Sequence, residues 1–180
     1  MSKETLEIPK IHFDSDDKLI ITAAPSSSKN DFDFYKGKWR VRNKKLKSIL
    51  TGCTEWTEFS STQEMYPMLT GMGNIDKYYA DFDGKPFEGT SLRLFNPITN
   101  LWSIYWAHSN KGTLDPPVIG SFENNVGHFF TMNIYMDKKI IVVFSWDLSD
   151  KNNPVWSQAY SEDKGQTWER NWYMYFSKFK

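Results

Sequence analysis

The sequence predicts an all-β domain, an antiparallel up-and-down barrel of about ten strands with a short helix between the first two. Three observations predict it. Aromatic residues make up 17% of the 180 residues, with 8 Trp, 9 Tyr and 13 Phe, yet mean hydropathy is −0.59. Bulky apolar and polar residues must therefore alternate closely, which is the signature of half-buried strands. The strand-like runs are joined by short polar turns, and short turns require antiparallel neighbours. No helix-period stretch lies between them, so βαβ units are excluded. Such strands close on themselves to remove exposed edges. The rival, a two-sheet sandwich, needs long crossings, for which only residues 110–117 offer a candidate.

Residues 1–30 are weakly patterned, with one short strand candidate at Leu19-Ile20-Ile21-Thr22 and a linker at Ala24-Pro25-Ser26-Ser27-Ser28-Lys29-Asn30. They read as an N-terminal arm, either free or docked on the barrel or on a second subunit. The barrel domain occupies residues 31–180. Asp31-Phe32-Asp33-Phe34-Tyr35 forms a helical turn that leads into Gly37-Lys38-Trp39-Arg40-Val41-Arg42. There Trp39 and Val41 share one face, and Arg40 and Arg42 the other. Leu46, Ile49 and Leu50 fall at i, i+3 and i+4, which predicts an amphipathic helix over Lys45–Leu50 closed by Gly52. Strands follow at Thr54–Tyr66, Asn74–Asp81, Gly89–Phe95, Leu101–Ser109, Val118–Phe122, Val126–Tyr135, Lys139–Leu148, Val155–Ser161 and Thr167–Lys178. Asp83-Gly84 supplies a left-handed turn, and Asn96-Pro97-Ile98-Thr99-Asn100 a preset one.

The tripeptide Gly37-Lys38-Trp39 at the head of the first core strand resembles the opening signature of the calycins, the superfamily of lipocalins and fatty-acid-binding proteins. The resemblance implies that Trp39 closes the barrel floor and that Lys178 or Arg170 packs across it. The helix over Lys45–Leu50 would sit where fatty-acid-binding proteins carry their lid. Over residues 31–178 the chain is similar to an uncharacterised family of bacterial lipocalin-like proteins. The likeness is carried by Trp39-Arg40-Val41-Arg42, Gly52-Cys53-Thr54-Glu55-Trp56, Leu92-Arg93-Leu94-Phe95-Asn96-Pro97, Trp102-Ser103-Ile104-Tyr105-Trp106-Ala107, Gly112-Thr113-Leu114-Asp115-Pro116-Pro117 and Asn171-Trp172. It implies a fold and leaves function open.

A second motif, Ser161-Glu162-Asp163-Lys164-Gly165-Gln166-Thr167-Trp168, matches the Asp-box hairpin of sialidase propellers. Asp163 can bond the backbone of its own turn, Gly165 supplies a positive φ, and Trp168 plugs the loop from beneath. One copy makes no propeller, so Gly37, Asp163, Gly165 and Trp168 are read as structural.

Candidate binding residues come from the inner wall. A four-residue loop after Asn96 pairs Phe95 with Trp102, which puts Ser91, Arg93, Phe95, Trp102, Ile104, Trp106 and His108 on one face. A buried Arg93 requires a carboxylate, from Asp76 or Glu169. Part-unpaired, it would anchor an anionic head group by parallel hydrogen bonds. Trp156, Gln158 and Tyr160 share a face of the next-to-last strand, with Glu169 and Asn171 expected opposite. Trp168, Arg170, Trp172, Met174 and Phe176 form the other face of the last strand. The candidate ligand-binding set is Trp39, Asp76, Arg93, Trp102, Trp106, His108, Gln158 and Trp172.

The expected partner is a small hydrophobic or aromatic molecule. An alternative is a small enzyme running acid–base chemistry with Arg93, Asp76 or Glu169, and Tyr105 or His108. Aromatics on both faces of the late strands lead to an expected homodimer. Lys plus Arg and Asp plus Glu each number 22, which argues against a basic nucleic-acid binder. No apolar run reaches the length of a membrane span, and Met1-Ser2-Lys3-Glu4-Thr5-Leu6 lacks the apolar core of a secretory signal. A single cysteine, Cys53, excludes an internal disulfide and a Cys-rich zinc site. His12, His108 and His128 have no metal-ligand spacing. A cytoplasmic protein without metal or cofactor is the resulting expectation.

Overall fold

A computed structural model describes residues 6–179. Ten antiparallel strands close into a barrel, each hydrogen-bonded to its sequence neighbours, with the last strand returning to the first. The arm contributes a two-stranded ribbon, β1 (His12–Phe13) and β2 (Leu19–Ile20). The barrel runs β3 (Gly37–Leu46), β4 (Trp56–Met68), β5 (Gly73–Phe82), β6 (Lys85–Asn96), β7 (Leu101–His108), β8 (Val118–Glu123), β9 (Val126–Tyr135), β10 (Lys138–Asp147), β11 (Val155–Ser161) and β12 (Glu169–Lys178). The register places Phe95 opposite Trp102 and Asn96 opposite Leu101, as the turn chemistry after Asn96 requires.

One expected element is absent. No helix occupies Lys45–Leu50, because β3 continues in extended form through Leu46. Lys44 and Lys45 pair with Tyr173 and Trp172 on one side and with Glu58 and Thr57 on the other. Those ladder bonds outweigh a one-turn helical pattern, since so short a helix has almost no stability of its own. The chain then bends through residues 47–51, with Leu50 at φ 58°.

One end of the barrel is packed shut. The 3-10 turn Asp33–Tyr35, with Phe32 before it, is driven into that end as a plug. Phe32 meets Trp102 edge-on at 4.9 Å, Phe122 at 5.1 Å and Trp146 at 6.3 Å. Tyr35 stacks on Trp39 and meets Phe176 edge-on. Two indole N–H groups fasten the plug: Trp39 Nε1 donates to Tyr35 O at 2.8 Å and Trp102 Nε1 to Ser28 O at 3.1 Å. Lys178 Nζ lies 5.2 Å from the centre of the Trp39 ring. The basic residue across the tryptophan is thus Lys178, while Arg170 points outward and donates to Ser157 Oγ and Leu6 O.

The arm lies on the outer wall. Ile8, Ile11, Phe13, Leu19 and Ile21 pack on Phe130, Ile141, Val143 and Ala159 of β9–β11. The chain then crosses β8, where Ala24 N donates to Ser121 Oγ at 2.9 Å, and passes the β6–β7 turn, where Ser27 Oγ donates to Asn100 O at 2.7 Å. The arm thereby covers the apolar outside of β9–β11, and a second subunit docking there would have to displace it. The Asp-box turn holds the arm's edge. Asp163 Oδ1 accepts from Thr167 N at 2.9 Å and Oδ2 from Thr167 Oγ1 at 2.6 Å. Gly165 takes φ +84°, Trp168 packs near Phe130, and Lys164 pairs with Asp17.

Candidate functional site

Above the plug the barrel keeps a small void. Inward residues of seven strands line it, and its volume is about 70 Å³. The wall is aromatic: Trp106 of β7, Phe144 of β10, Trp156 of β11, Trp172 of β12 and Tyr78 of β5 line it. Trp156 and Trp172 meet edge-on at 5.6 Å, as do Tyr78 and Trp106 at 5.9 Å. Gly89 of β6 makes room for the Trp106 indole; a Cβ there would lie 2.1 Å from its ring.

Polar groups are set into this wall at a few points. Arg93 and Asp76 meet across neighbouring strands, with Nη1 2.6 Å from Oδ2. Nη1 also donates to Asn74 Oδ1 at 3.1 Å, and Asp76 Oδ1 accepts from Ser91 N at 3.2 Å. The guanidinium lies 5.2 Å from the centres of the Phe32 and Tyr35 rings, so it forms the deep end of the cavity. Burial holds the Tyr35 hydroxyl well above its usual range, with the Asp76 charge adding and Arg93 opposing. The phenol therefore stays neutral at physiological pH.

A second cluster rings the upper cavity. Asn43 Oδ1 accepts from Trp172 Nε1 at 3.1 Å and from the Tyr78 hydroxyl at 3.4 Å, and Asn43 Nδ2 donates to Ser61 Oγ at 2.8 Å. Gln158 Nε2 donates to Asn171 Oδ1 at 2.8 Å. Burial pushes the Tyr78 and Tyr160 hydroxyls up to about 12. At the rim Lys45 Nζ lies 4.2 Å from the Trp172 ring centre, and burial lowers its pKa. His108 stacks on Phe87 at 5.4 Å, which places it beside the mouth and out of full solvent.

Of the residues singled out in the sequence, Arg93, Trp106, Gln158 and Trp172 line the cavity. Asp76 stands behind the wall as the partner of Arg93. Trp39 and Trp102, 0% and 1% exposed, belong to the packed floor. Glu169 is not the partner of Arg93; its carboxylate accepts from Leu50 N at 2.7 Å. Tyr105 alternates with the inward Ile104 and Trp106, so it faces outward. Of the acid–base groups, Arg93 and Asp76 are brought together, while Glu169, Tyr105 and His108 lie elsewhere.

The last strand departs from simple alternation. A bulge between Gln158 and Ala159 makes Gln158 pair with Trp172 and Ala159 with Arg170, leaving Asn171 as the extra residue. Two residues face one across a bulge. Arg170 therefore stays outside while Trp172, Met174 and Phe176 turn inward. Sequence reading missed Gln63, Asn43 and Tyr78. Gln63 pairs directly with Trp39, so its inward aim follows once β3 and β4 are in register.

Among the described residues no group of three or more His, Cys, Asp or Glu is placed to hold a metal ion, and no helix is long and apolar enough to cross a membrane. Comparison of the chain with protein-family models and with curated proteins finds no match.

Proposed function

We propose that this barrel binds a small, mostly aromatic molecule in the cavity above the plug. The observation that carries the reading is the combination in one void of indole walls and buried polar side chains, Arg93 and Gln63, that hold unused hydrogen-bonding capacity. Ligand sites are built this way, largely apolar with a few fixing groups. A barrel of this strand number has room for one small ligand once its floor is filled. The void, about 70 Å³, is smaller than the roughly 150 Å³ of a dry cavity that accommodates benzene, so a one-ring occupant enters as the wall side chains shift aside.

The reading is tested by thermal melting with toluene, indole and phenol, beside a Ser91→Phe variant that blocks the void. Ser91 lines the cavity, and its role toward Asp76 uses only its backbone N–H. Stabilisation of the native chain and its loss in the folded blocked variant support binding. Equal response of both, or none in either, overturns it.

A further inference from the structure

We infer that the occupant presents an uncharged planar edge carrying a hydrogen-bond acceptor beside a donor, as a carboxamide or lactam does. This rests on the binding reading above and adds the chemical class. Two observations carry it. Gln63 is 4% exposed and Arg93 3% exposed, and both line the cavity. Gln63 Oε1 and Arg93 Nε have no hydrogen-bond partner among the described residues. Buried polar groups left unpaired are costly, and with both side chains on the wall of one void, a small shift of either lets a ligand's own polar atoms pair them. A carboxamide side chain holds an acceptor and a donor side by side. Its complement is another amide edge, whichever way the Gln63 amide is turned. Arg93 Nε–H adds a donor for a carbonyl oxygen.

Charge decides between an amide and a carboxylate. The guanidinium is already neutralised by Asp76 at 2.6 Å. A carboxylate placed against it would set two anions on one cation and would surrender its hydration in doing so. The other cation near the cavity, Lys45, rests on Trp172 at the rim, at the opposite end from the Phe32 and Tyr35 rings that flank Arg93. It cannot serve an anion held at the deep end. A neutral amide satisfies Gln63 and Arg93 without adding charge.

The experiment titrates the protein with benzamide, benzoate and toluene at about pH 7.5, where benzoate is ionised, and follows tryptophan fluorescence and binding heat. Benzamide is expected to bind about tenfold more tightly than either analogue, since a site built to hydrogen-bond a group rejects ligands lacking it. Gln63→Leu should abolish that preference and leave toluene within about twofold. Saturation by toluene without a benzamide preference, or benzoate binding tightest, overturns the inference while leaving a binding cavity. Saturation by none of the three at millimolar concentration overturns the cavity reading and this inference together. Should Gln63→Leu fail to fold, the ratio measured on the native chain decides.

Discussion

Arg93 Nη1 and Asp76 Oδ2 lie 2.6 Å apart, with Arg93 3% and Asp76 0% exposed. Removing one member of such a pair strands the other charge in a low-dielectric interior. Asp76→Asn and Arg93→Met should each lower unfolding free energy by about 3–5 kcal/mol. The double variant Asp76→Leu/Arg93→Met should recover a good part of that loss. Urea melts of the three variants check this, and a double variant no more stable than the worse single one contradicts it.

Gly89→Ala tests how the cavity wall is built. The new Cβ would lie 2.1 Å from Trp106 Cη2, so the indole must swing away. Forced repacking costs about 1–3 kcal/mol. A shift of tryptophan emission together with weakened binding of an aromatic ligand is expected. Unchanged emission and affinity would mean that Trp106 does not lean on this glycine.

How far the sequence carries these features can be judged from particular residues. Alternation in Ser91, Arg93 and Phe95 against Trp102, Ile104 and Trp106 is strict, and the turn after Asn96 fixes one register, so the inward set is legible, while the choice of Asp76 over Glu169 as the partner of Arg93 needs the strand neighbours. The helix over Lys45–Leu50 is misread because three apolar residues at helical spacing also occur in a strand that runs into a bend. Which of the inward residues form floor and which form wall is not legible. That depends on how far Phe32 and Tyr35 reach into the lumen, a long-range packing outcome. Asn171 hides in a bulge, where period two fails.

Acid should loosen the outer wall in two separate windows. His128 lies under the arm with Nδ1 2.9 Å from Ser145 Oγ. Burial lowers its pKa from 6.5 to about 4, with Arg170 reinforcing and a backbone hydrogen bond with Glu7 opposing. The unfolded chain then binds this proton at higher pH than the folded one. Stability is full above about 6.5 and falls as pH drops toward 4, by up to about 3 kcal/mol. Asp163, held near 2 by the Thr167 hydroxyl and amide and by Ser161, loses its contribution only as pH falls from 3.8 to about 2. Denaturant midpoints between pH 7 and 4.5 should decline in the native chain and stay nearly level in His128→Gln. Parallel declines would remove His128 as the cause.

Gly165→Val should release the arm while leaving the barrel closed. The position has φ +84°, and a Cβ there would lie 2.8 Å from Ile11 Cδ1. Strain in the left-handed region adds to that clash. Hydrogen exchange should quicken at residues 11–21 and remain slow in β5 and β6. Unchanged protection of the arm would show that the Asp-box turn does not secure it.

The closing seam between β12 and β3 has its own consequence. Seven residue pairs, from Trp172–Lys45 to Lys178–Trp39, join segments from opposite ends of the barrel sequence. A nascent chain cannot form them until Lys178 has left the ribosome, so during synthesis β3 waits with an unpaired edge. Closing so long a loop is entropically expensive, and topologies of this kind fold slowly. Ring formation is then the expected late step of folding. Agents that shield bare strand edges during translation should raise the yield of correctly folded chains more than agents that act after release.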